Sequence, residues 1–160
     1  MLVTINTDAS WSPKNKVGTF AFWVVSNQGK IAKAGLLKGE IRTPDHAELS
    51  CIANAIHCLM VQKWGITKII INTDSLNSIH ILNDDKKLMK WYGLKDHRFQ
   101  VIRKVILQKL NGVKFECRHI KSHQNTATPR AWVNEWCDQE AKKQLIKWHK
   151  NNKKHENTKS

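Results

Sequence analysis

The stretch that decides the fold is RTPDHAELSCIANAIHCLM, residues 42–60. Thr43 followed by Pro44 is typical of a helix start, because threonine caps the first backbone N–H groups and proline suits the first helical position. The pattern predicts one amphipathic helix over residues 44–64, ended by Gly65. At 100° per residue, Glu48 falls at the head of the apolar stripe of this helix. That stripe comprises Ile52, Ala55, Ile56 and Leu59.

Glu48 therefore places a carboxylate on the face that the helix should bury. A buried charge without a partner costs several kcal/mol, so something must compensate it. A salt bridge to a lysine or arginine would do so, and so would a cation held jointly with other acids. The remaining acids of the chain bear on that choice.

On either side of this helix the chain alternates between strand and helix patterns. Five segments have the composition of strands: residues 2–7, 18–25, 30–37, 68–72 and 113–119. Three further segments have helical patterns: a short one after residue 75, then residues 99–110 and 130–148. The order β-β-β-α-β-α-α-β-α predicts an α/β fold, a mixed sheet with helices packed on its faces.

Size and composition favour a single domain over residues 1–150, followed by a basic disordered tail over residues 151–160 that has no apolar residue. Lysine and arginine number 27 against 13 acidic residues, a formal charge of +14. Such an excess indicates a polyanionic partner, with nucleic acid first and an anionic membrane surface second.

The absence of long apolar segments argues against a membrane protein. No apolar run approaches the ~20 residues of a membrane span. The N-terminus MLVTIN lacks the features of a signal peptide, so we expect a cytoplasmic protein. The four cysteines form no CxxC framework, which favours free thiols in a reducing compartment.

Four acids lie at positions where the predicted fold could bring them together in one ligand site. Asp8 and Asp74 follow predicted strands, and ligand sites of open α/β sheets form at the carboxyl ends of strands. Glu48 and Asp138 lie on the inward faces of their helices. Clustered carboxylates repel one another unless a cation joins them, and oxygen ligands suit Mg²⁺ or Mn²⁺. Two such ions about 4 Å apart can cleave a phosphodiester, so the sequence favours a nuclease.

Four short motifs of the chain resemble the type 1 ribonuclease H family: TDAS at residues 7–10, HAEL at 46–49, NTDS at 72–75 and NEWCD at 134–138. Their order and approximate spacing cover about residues 2–145. The resemblance implies the ribonuclease H-like fold, with a five-stranded mixed sheet. It also implies a metal-dependent endoribonuclease that hydrolyses the RNA strand of RNA–DNA hybrids, leaving a 3′-hydroxyl and a 5′-phosphate. Mg²⁺ is the implied cofactor, two ions with substrate, and Mn²⁺ is an alternative.

Catalytic roles follow from the same resemblance. The implied metal ligands are Asp8, Glu48, Asp74 and Asp138. Residues 120–123, IKSH, match the segment that carries the family's loop histidine. His123 is therefore the implied accessory in proton transfer or product release, a role that a titrating imidazole can fill.

Substrate contacts are implied at two places. Thr43 matches a threonine that contacts a DNA phosphate. Residues 83–98 match a basic protrusion that holds the DNA strand, although Leu88, Trp91 and Tyr92 have helical spacing and could instead pack inside. The residues of this stretch expected to touch nucleic acid are Lys87, Lys90, Trp91 and Lys95.

A departure from the family concerns recognition of the RNA strand. Pro44 and Asp45 stand where polar amides often read 2′-hydroxyls, the group that separates RNA from DNA. We therefore expect selectivity to be weaker or to be supplied elsewhere. The candidates are Ser10, Trp11, Lys14 and Asn15.

Two other functions compete with a ribonuclease H. One is a non-catalytic module that binds hybrids or duplexes, which has no use for four acids facing a phosphate. The other is a related nuclease of the same superfold, a resolvase or a strand transferase. The position of Glu48, about 40 residues after Asp8, favours ribonuclease H. We expect a monomer.

Overall fold

A computed structural model of the chain describes residues 1–121 and 128–158, and of residues 154–158 it describes the backbone. The strands are β1 (Leu2–Ser12), β2 (Val17–Ser26), β3 (Gly29–Leu36), β4 (Lys68–Thr73) and β5 (Lys114–His119). The helices are α1 (Pro44–Met60), α2 (Leu76–Leu82), α3 (Lys86–Trp91), α4 (His97–Leu110) and α5 (Pro129–Thr158).

All five strands form one mixed sheet in the order β3-β2-β1-β4-β5. The first three strands are an antiparallel meander, and β1 pairs parallel to β4, which pairs parallel to β5. This arrangement confirms the predicted five-stranded sheet. The register pairs Asn6 with Asn72, so the segments that follow these residues lie side by side.

The core lies between the sheet and α1, whose buried face carries Leu49, Ile52, Ile56 and Leu59. Helix α4 packs against α1 on the same side. A smaller cluster on β2 and α5 joins Ala21, Cys137 and Ala141. The small side chains at these three positions let α5 lie close to β1 and β2.

Local signals fix where the helices begin. The Thr43 hydroxyl accepts a hydrogen bond from the His46 N–H at 3.0 Å, which confirms the predicted cap of α1. Ser75 caps α2 in the same way through the Ser78 N–H at 3.1 Å. Both helices start close in sequence to an acid of the predicted metal site, Glu48 for α1 and Asp74 for α2. The caps therefore help to fix the positions of these two acids.

Several elements differ from the sequence prediction. Strand β1 extends to Ser12 because β2 pairs with it through the whole segment, so Asp8 lies inside the strand rather than after it. Helix α1 ends at Met60, and the chain then turns through Lys63 with a φ of 56°. A third helix, α3, forms between β4 and β5 besides the two predicted there.

The last helix shows the largest difference. Helix α5 continues to Thr158, so the expected end of the helix near residue 148 is wrong, while the disordered tail expected over residues 151–160 stays a prediction. No glycine or proline follows Pro129, and nothing local breaks the helix. The domain boundary at residue 150 stays a prediction. Within residues 1–121 and 128–158, no helix has the length and apolar character needed to cross a bilayer.

Candidate active site

Three carboxylates meet at one point beside the sheet. Asp8 comes from β1, Glu48 from the first turns of α1, and Asp74 directly follows β4. One oxygen of each lies within 4.8 Å of an oxygen of the others. The parallel register of β1 and β4 accounts for the two aspartates, since each stands two residues beyond the Asn6–Asn72 pair.

Burial and the repulsion between neighbouring carboxylates raise the pKa of Asp8 and of Glu48. Burial, and then the charge of Asp74, raises the pKa of Asp8 to about 8. Burial, followed by the charges of Asp8 and Asp74, raises the pKa of Glu48 well above its usual range. Without a counter-charge the three acids therefore cannot all be ionised at neutral pH.

The backbone N–H of Ala9 donates hydrogen bonds to two of these carboxylates. It donates to Asp8 Oδ1 at 2.9 Å and to Glu48 Oε1 at 3.3 Å. Glu48 Oε2 is buried without a hydrogen-bond partner. No lysine or arginine in the described part of the chain forms an ion pair with Glu48, so the salt-bridge alternative is wrong there.

This donor set fits a hard divalent cation. The three acids offer only oxygen ligands, and Glu48 Oε2 is buried with no hydrogen-bond partner among the described residues. A bound cation would remove the repulsion that raises the pKa of Asp8 and Glu48. The cation alternative from the sequence is therefore the one that the geometry supports.

Asp138 lies next to the triad but is not one of its three members. Its charge contributes to the raised pKa of Asp8, and its Oδ2 accepts from Lys142 Nζ at 2.9 Å. Helix α5 is anchored by the Thr19 hydroxyl, which donates to the Ala141 carbonyl at 2.7 Å. Asp138 therefore lies near Asp8, and its predicted role as a metal ligand stays a prediction.

The predicted accessory His123 belongs to residues 122–127, which lie outside the described residues. The described residues that flank this segment are Lys121, which follows β5, and Thr128. The Thr128 hydroxyl accepts a hydrogen bond from the Ala131 N–H at 3.1 Å. The role of His123 stays a prediction.

A buried polar layer next to the triad was not predicted. Asn6 and Asn72 are almost fully buried, and Asn6 Oδ1 and both polar side-chain atoms of Asn72 have no hydrogen-bond partner among the described protein groups. Each asparagine stands two residues before a triad aspartate. The repeated Asn-x-Asp spacing on paired strands was the signal that could have identified this layer.

The four predicted substrate-contact residues of the first hairpin, β1 and β2, differ in exposure and in contacts. Lys14 and Asn15 are exposed in the turn between β1 and β2. Trp11 Nε1–H donates to the Ile41 carbonyl at 2.7 Å, so this indole fixes the segment before α1. Ser10 is half-buried on β1. Of these four candidates for substrate contact, the two turn residues are the most accessible.

Asn77 is a further candidate for substrate contact that the sequence did not indicate. Asn77 on α2 donates its Nδ2–H to Asp45 Oδ2 at 3.1 Å. Asp45 lies three residues before Glu48, and Asn77 three residues after Asp74, so the pair borders the triad. An ionised carboxylate only accepts, hence the amide nitrogen faces Asp45 and the Asn77 carbonyl oxygen is left for another donor.

Helix α3 displays the predicted basic and aromatic residues. Its inward anchors are Met89 and the following Leu94, both buried. Trp91 is 81% exposed, so the alternative that it packs inside is wrong. Tyr92 stacks on His80 with ring centroids 5.6 Å apart. The other exposed candidates for substrate contact are Lys87, Lys90 and Lys95.

Comparison with known proteins agrees with this geometry. The RNase H family model matches residues 2–146. A comparison with curated proteins found no match. RNase H1 of the halophilic archaeon Halobacterium salinarum NRC-1 has a similar structure, with a TM-score of 0.65 at 18% identity over 92% of this chain and 99% of that one.

Two other solved structures share the fold. The N-terminal RNase H domain of Rv2228c from Mycobacterium tuberculosis has a TM-score of 0.63 at 12% identity, covering 91% of this chain and 97% of that one. LC11-RNase H1, isolated from compost and solved in complex with an RNA/DNA hybrid, has a TM-score of 0.61 at 14% identity, covering 89% and 99%. The match over nearly its whole length shows that the chain belongs to the RNase H family, the ribonucleases that hydrolyse the RNA strand of RNA–DNA hybrids.

Proposed function

We propose that this chain hydrolyses the RNA strand of RNA–DNA hybrids with divalent ions held by Asp8, Glu48 and Asp74, and that Asp138 joins in holding a second ion. The products are a 3′-hydroxyl and a 5′-phosphate. The observation that carries the proposal is the convergence of three carboxylates, each with an oxygen within 4.8 Å of the others. When bound, Mg²⁺ or Mn²⁺ supplies acidity to a water and stabilises the leaving oxygen of the phosphodiester.

The chain's own groups orient these ligands. The Ala9 N–H donates to one oxygen of Asp8 and to one of Glu48, which holds these two carboxylates side by side. Lys142 donates to Asp138 Oδ2, and Asp138 is close enough to Asp8 to raise its pKa. These contacts restrict the orientation of the carboxylates, and such positioning favours ion binding.

Recognition of the hybrid is proposed to use both charge and hydrogen bonds. The formal charge of +14 supplies affinity for the phosphate backbone. The Asn77 carbonyl oxygen, oriented by Asp45, can accept from a 2′-hydroxyl of the RNA strand. A structure of LC11-RNase H1 with an RNA/DNA hybrid is consistent with this class of substrate.

The competing functions explain less of the geometry. A module that only binds duplexes would place repulsive carboxylates, whose pKa values are raised by burial, against a phosphate. A resolvase or strand transferase shares the superfold, and fold alone does not separate these activities. The substrate used in the assay does separate them.

The test is cleavage of matched RNA–DNA, DNA–DNA and RNA–RNA duplexes with and without Mg²⁺ or Mn²⁺. We expect metal-dependent cleavage of the RNA strand of the hybrid, abolished in Asp74→Asn. Asp85→Asn is a matched control, because Asp85 caps α3 and asparagine caps equally well. Cleavage of the DNA duplex at the same rate, or unchanged activity in Asp74→Asn, would contradict the proposal.

A further inference from the structure

Two asparagines on neighbouring strands precede the aspartates of the candidate metal site. Asn6 of β1 and Asn72 of β4 are partners in the parallel register. Asn6 stands two residues before Asp8, and Asn72 stands two residues before Asp74. Side chains two residues apart on a strand point to the same face and are separated by about 6.6 Å. Asn6 and Asp8 therefore share one face of the sheet.

That face lies opposite the main core. Ile5 and Ile71, which precede the two asparagines along their strands, are buried in the core that α1 covers. Because side chains alternate along a strand, Asn6 and Asn72 point to the other side of the sheet. The Cys137 thiol of α5 donates to the Asn6 carbonyl at 3.7 Å, so this helix packs over Asn6.

The amide groups of both asparagines are buried and lack protein partners. Asn6 is 4% exposed and Asn72 is 0% exposed. Asn6 Oδ1, Asn72 Oδ1 and Asn72 Nδ2 accept or donate no hydrogen bond within the described part of the chain. Native proteins pair the large majority of such atoms, because a buried amide without a hydrogen bond is unfavourable. These amides therefore require an explanation.

The same relation is found at the acid on α5. Asn134 stands four residues before Asp138, about one helical turn, so the two side chains lie on the same side of the helix. Asn134 Oδ1 is also buried without a partner among the described groups. Buried, unpaired amide oxygens thus accompany the acids of the site on three separate elements.

Packing alone does not explain an amide at these positions. Leucine has the same branching at Cγ as asparagine and needs no hydrogen bond when it is buried. Ile70 lies on the same face of β4, two residues before Asn72, and is 7% exposed, so this face accepts an apolar side chain. A polar group that destabilises the fold beside a functional site indicates a role in that site.

The spacing of the side chains suits a bridging water. Two side chains that leave a strand about 6.6 Å apart are too distant for a direct hydrogen bond when both point straight outward. Two hydrogen bonds in series through one water span about 5 Å. A water between an asparagine amide and the next carboxylate on the same face would satisfy the amide and restrain the carboxylate.

We propose that Asn6 and Asn72 are positioning residues of the metal site. Each amide hydrogen-bonds, through a buried water, to the carboxylate two residues further along the chain, and so holds Asp8 or Asp74 in the orientation that binds the ion. This inference rests on the proposed function, because that function requires the ion. The two amides contact neither the ion nor the substrate.

The test measures ion binding and stability without nucleic acid. MnCl₂ is titrated into each protein by calorimetry, and urea unfolding is followed in EDTA. Asn72→Leu and Asn6→Leu each remove one amide and keep the branching at Cγ. Asn72→Ser keeps a polar group and leaves space for water. Ile70→Ala is the control, because it perturbs the same face of β4 and removes no amide.

The two measurements should change in opposite directions. We expect Asn72→Leu to unfold in EDTA at the same urea concentration as wild type or at a higher one, because it buries no unpaired amide. It should nevertheless bind Mn²⁺ about tenfold more weakly, the loss typical of residues that orient metal ligands. Asn72→Ser should recover most of the affinity. Ile70→Ala should lose stability and keep the wild-type affinity.

Three outcomes would overturn the inference: wild-type affinity in Asn72→Leu, an equal loss of affinity in Ile70→Ala, or no recovery in Asn72→Ser. If Asn72→Leu does not fold, Asn6→Leu is judged by the same criteria. If wild type bound Mn²⁺ but did not cleave hybrids, the proposed function would fail, while the affinities would still decide the role of the asparagines. Wild-type affinity in both leucine variants of an active enzyme would refute the positioning role alone.

Discussion

Replacing Asp8 with asparagine should make the metal-free protein more stable while it destroys activity. In the folded chain the pKa of Asp8 is raised from 3.8 to about 8, first by burial and then by the charge of Asp74. The unfolded chain releases this proton near pH 4, whereas the folded chain keeps it up to about pH 8. Unfolding therefore releases a proton, and the free energy of unfolding falls as the pH rises from about 4 to about 8.

The size of the effect follows from that interval. Each pH unit between the two pKa values is worth about 1.4 kcal/mol. From 3.8 to neutral pH the ionisable Asp8 lowers the free energy of unfolding by about 4 kcal/mol at most. Asparagine has nearly the same shape and no proton to lose. We expect Asp8→Asn to gain about 1 to 4 kcal/mol at pH 7 and little or nothing at pH 4.

The assay is urea unfolding in the presence of EDTA at several pH values between 4 and 8. Asp85→Asn is the matched control, since it removes one exposed aspartate and keeps the cap of α3. Added Mg²⁺ should stabilise wild type and the control and should leave Asp8→Asn unchanged. If Asp8→Asn were no more stable than wild type at pH 7, or if its stability fell with pH as steeply, the repulsive cluster would be refuted.

Three further predictions concern residues around the triad. Asn77→Ala should lower the ratio of kcat/KM for the hybrid to that for the DNA duplex, because it removes the oriented carbonyl oxygen; an unchanged ratio would exclude this contact. His123→Ala should slow turnover less than Asp74→Asn does, and equal losses in single-turnover rate would contradict an accessory role. Thr43→Ala should cost about 1 kcal/mol of stability and raise KM, whereas Thr43→Ser should keep the cap and the affinity.

The sequence predicted most of the fold because its local signals are strong. Thr43 and Pro44 placed the start of α1, and the apolar stripe of that helix identified the face that it buries. The continuous apolar run of β4 identified a strand with neighbours on both sides. Asp8 was misplaced, since a polar stretch predicts a loop and cannot show that β2 pairs with it.

The site was predictable where its residues carry charge on a periodic pattern. Glu48 stood out as an acid on an apolar stripe, and the structure places it with Asp8 and Asp74. The Asp45–Asn77 hydrogen bond was not predictable, because it joins side chains 32 positions apart on two helices. The length of α5 was also missed, since a polar and basic composition is shared by disordered tails and by exposed helices.

The most direct test of the central claim is calorimetric titration of Mg²⁺ or Mn²⁺ into the protein at neutral pH, in two buffers of different ionisation enthalpy. Because the pKa values of Asp8 and Glu48 are raised, ion binding must displace protons, and the observed heat should depend on the buffer. We predict release of about one proton or more per protein, with affinity rising toward pH 8 and weakened at least tenfold in Asp74→Asn. Binding without proton release, with an affinity that Asp74→Asn leaves unchanged, would contradict the account.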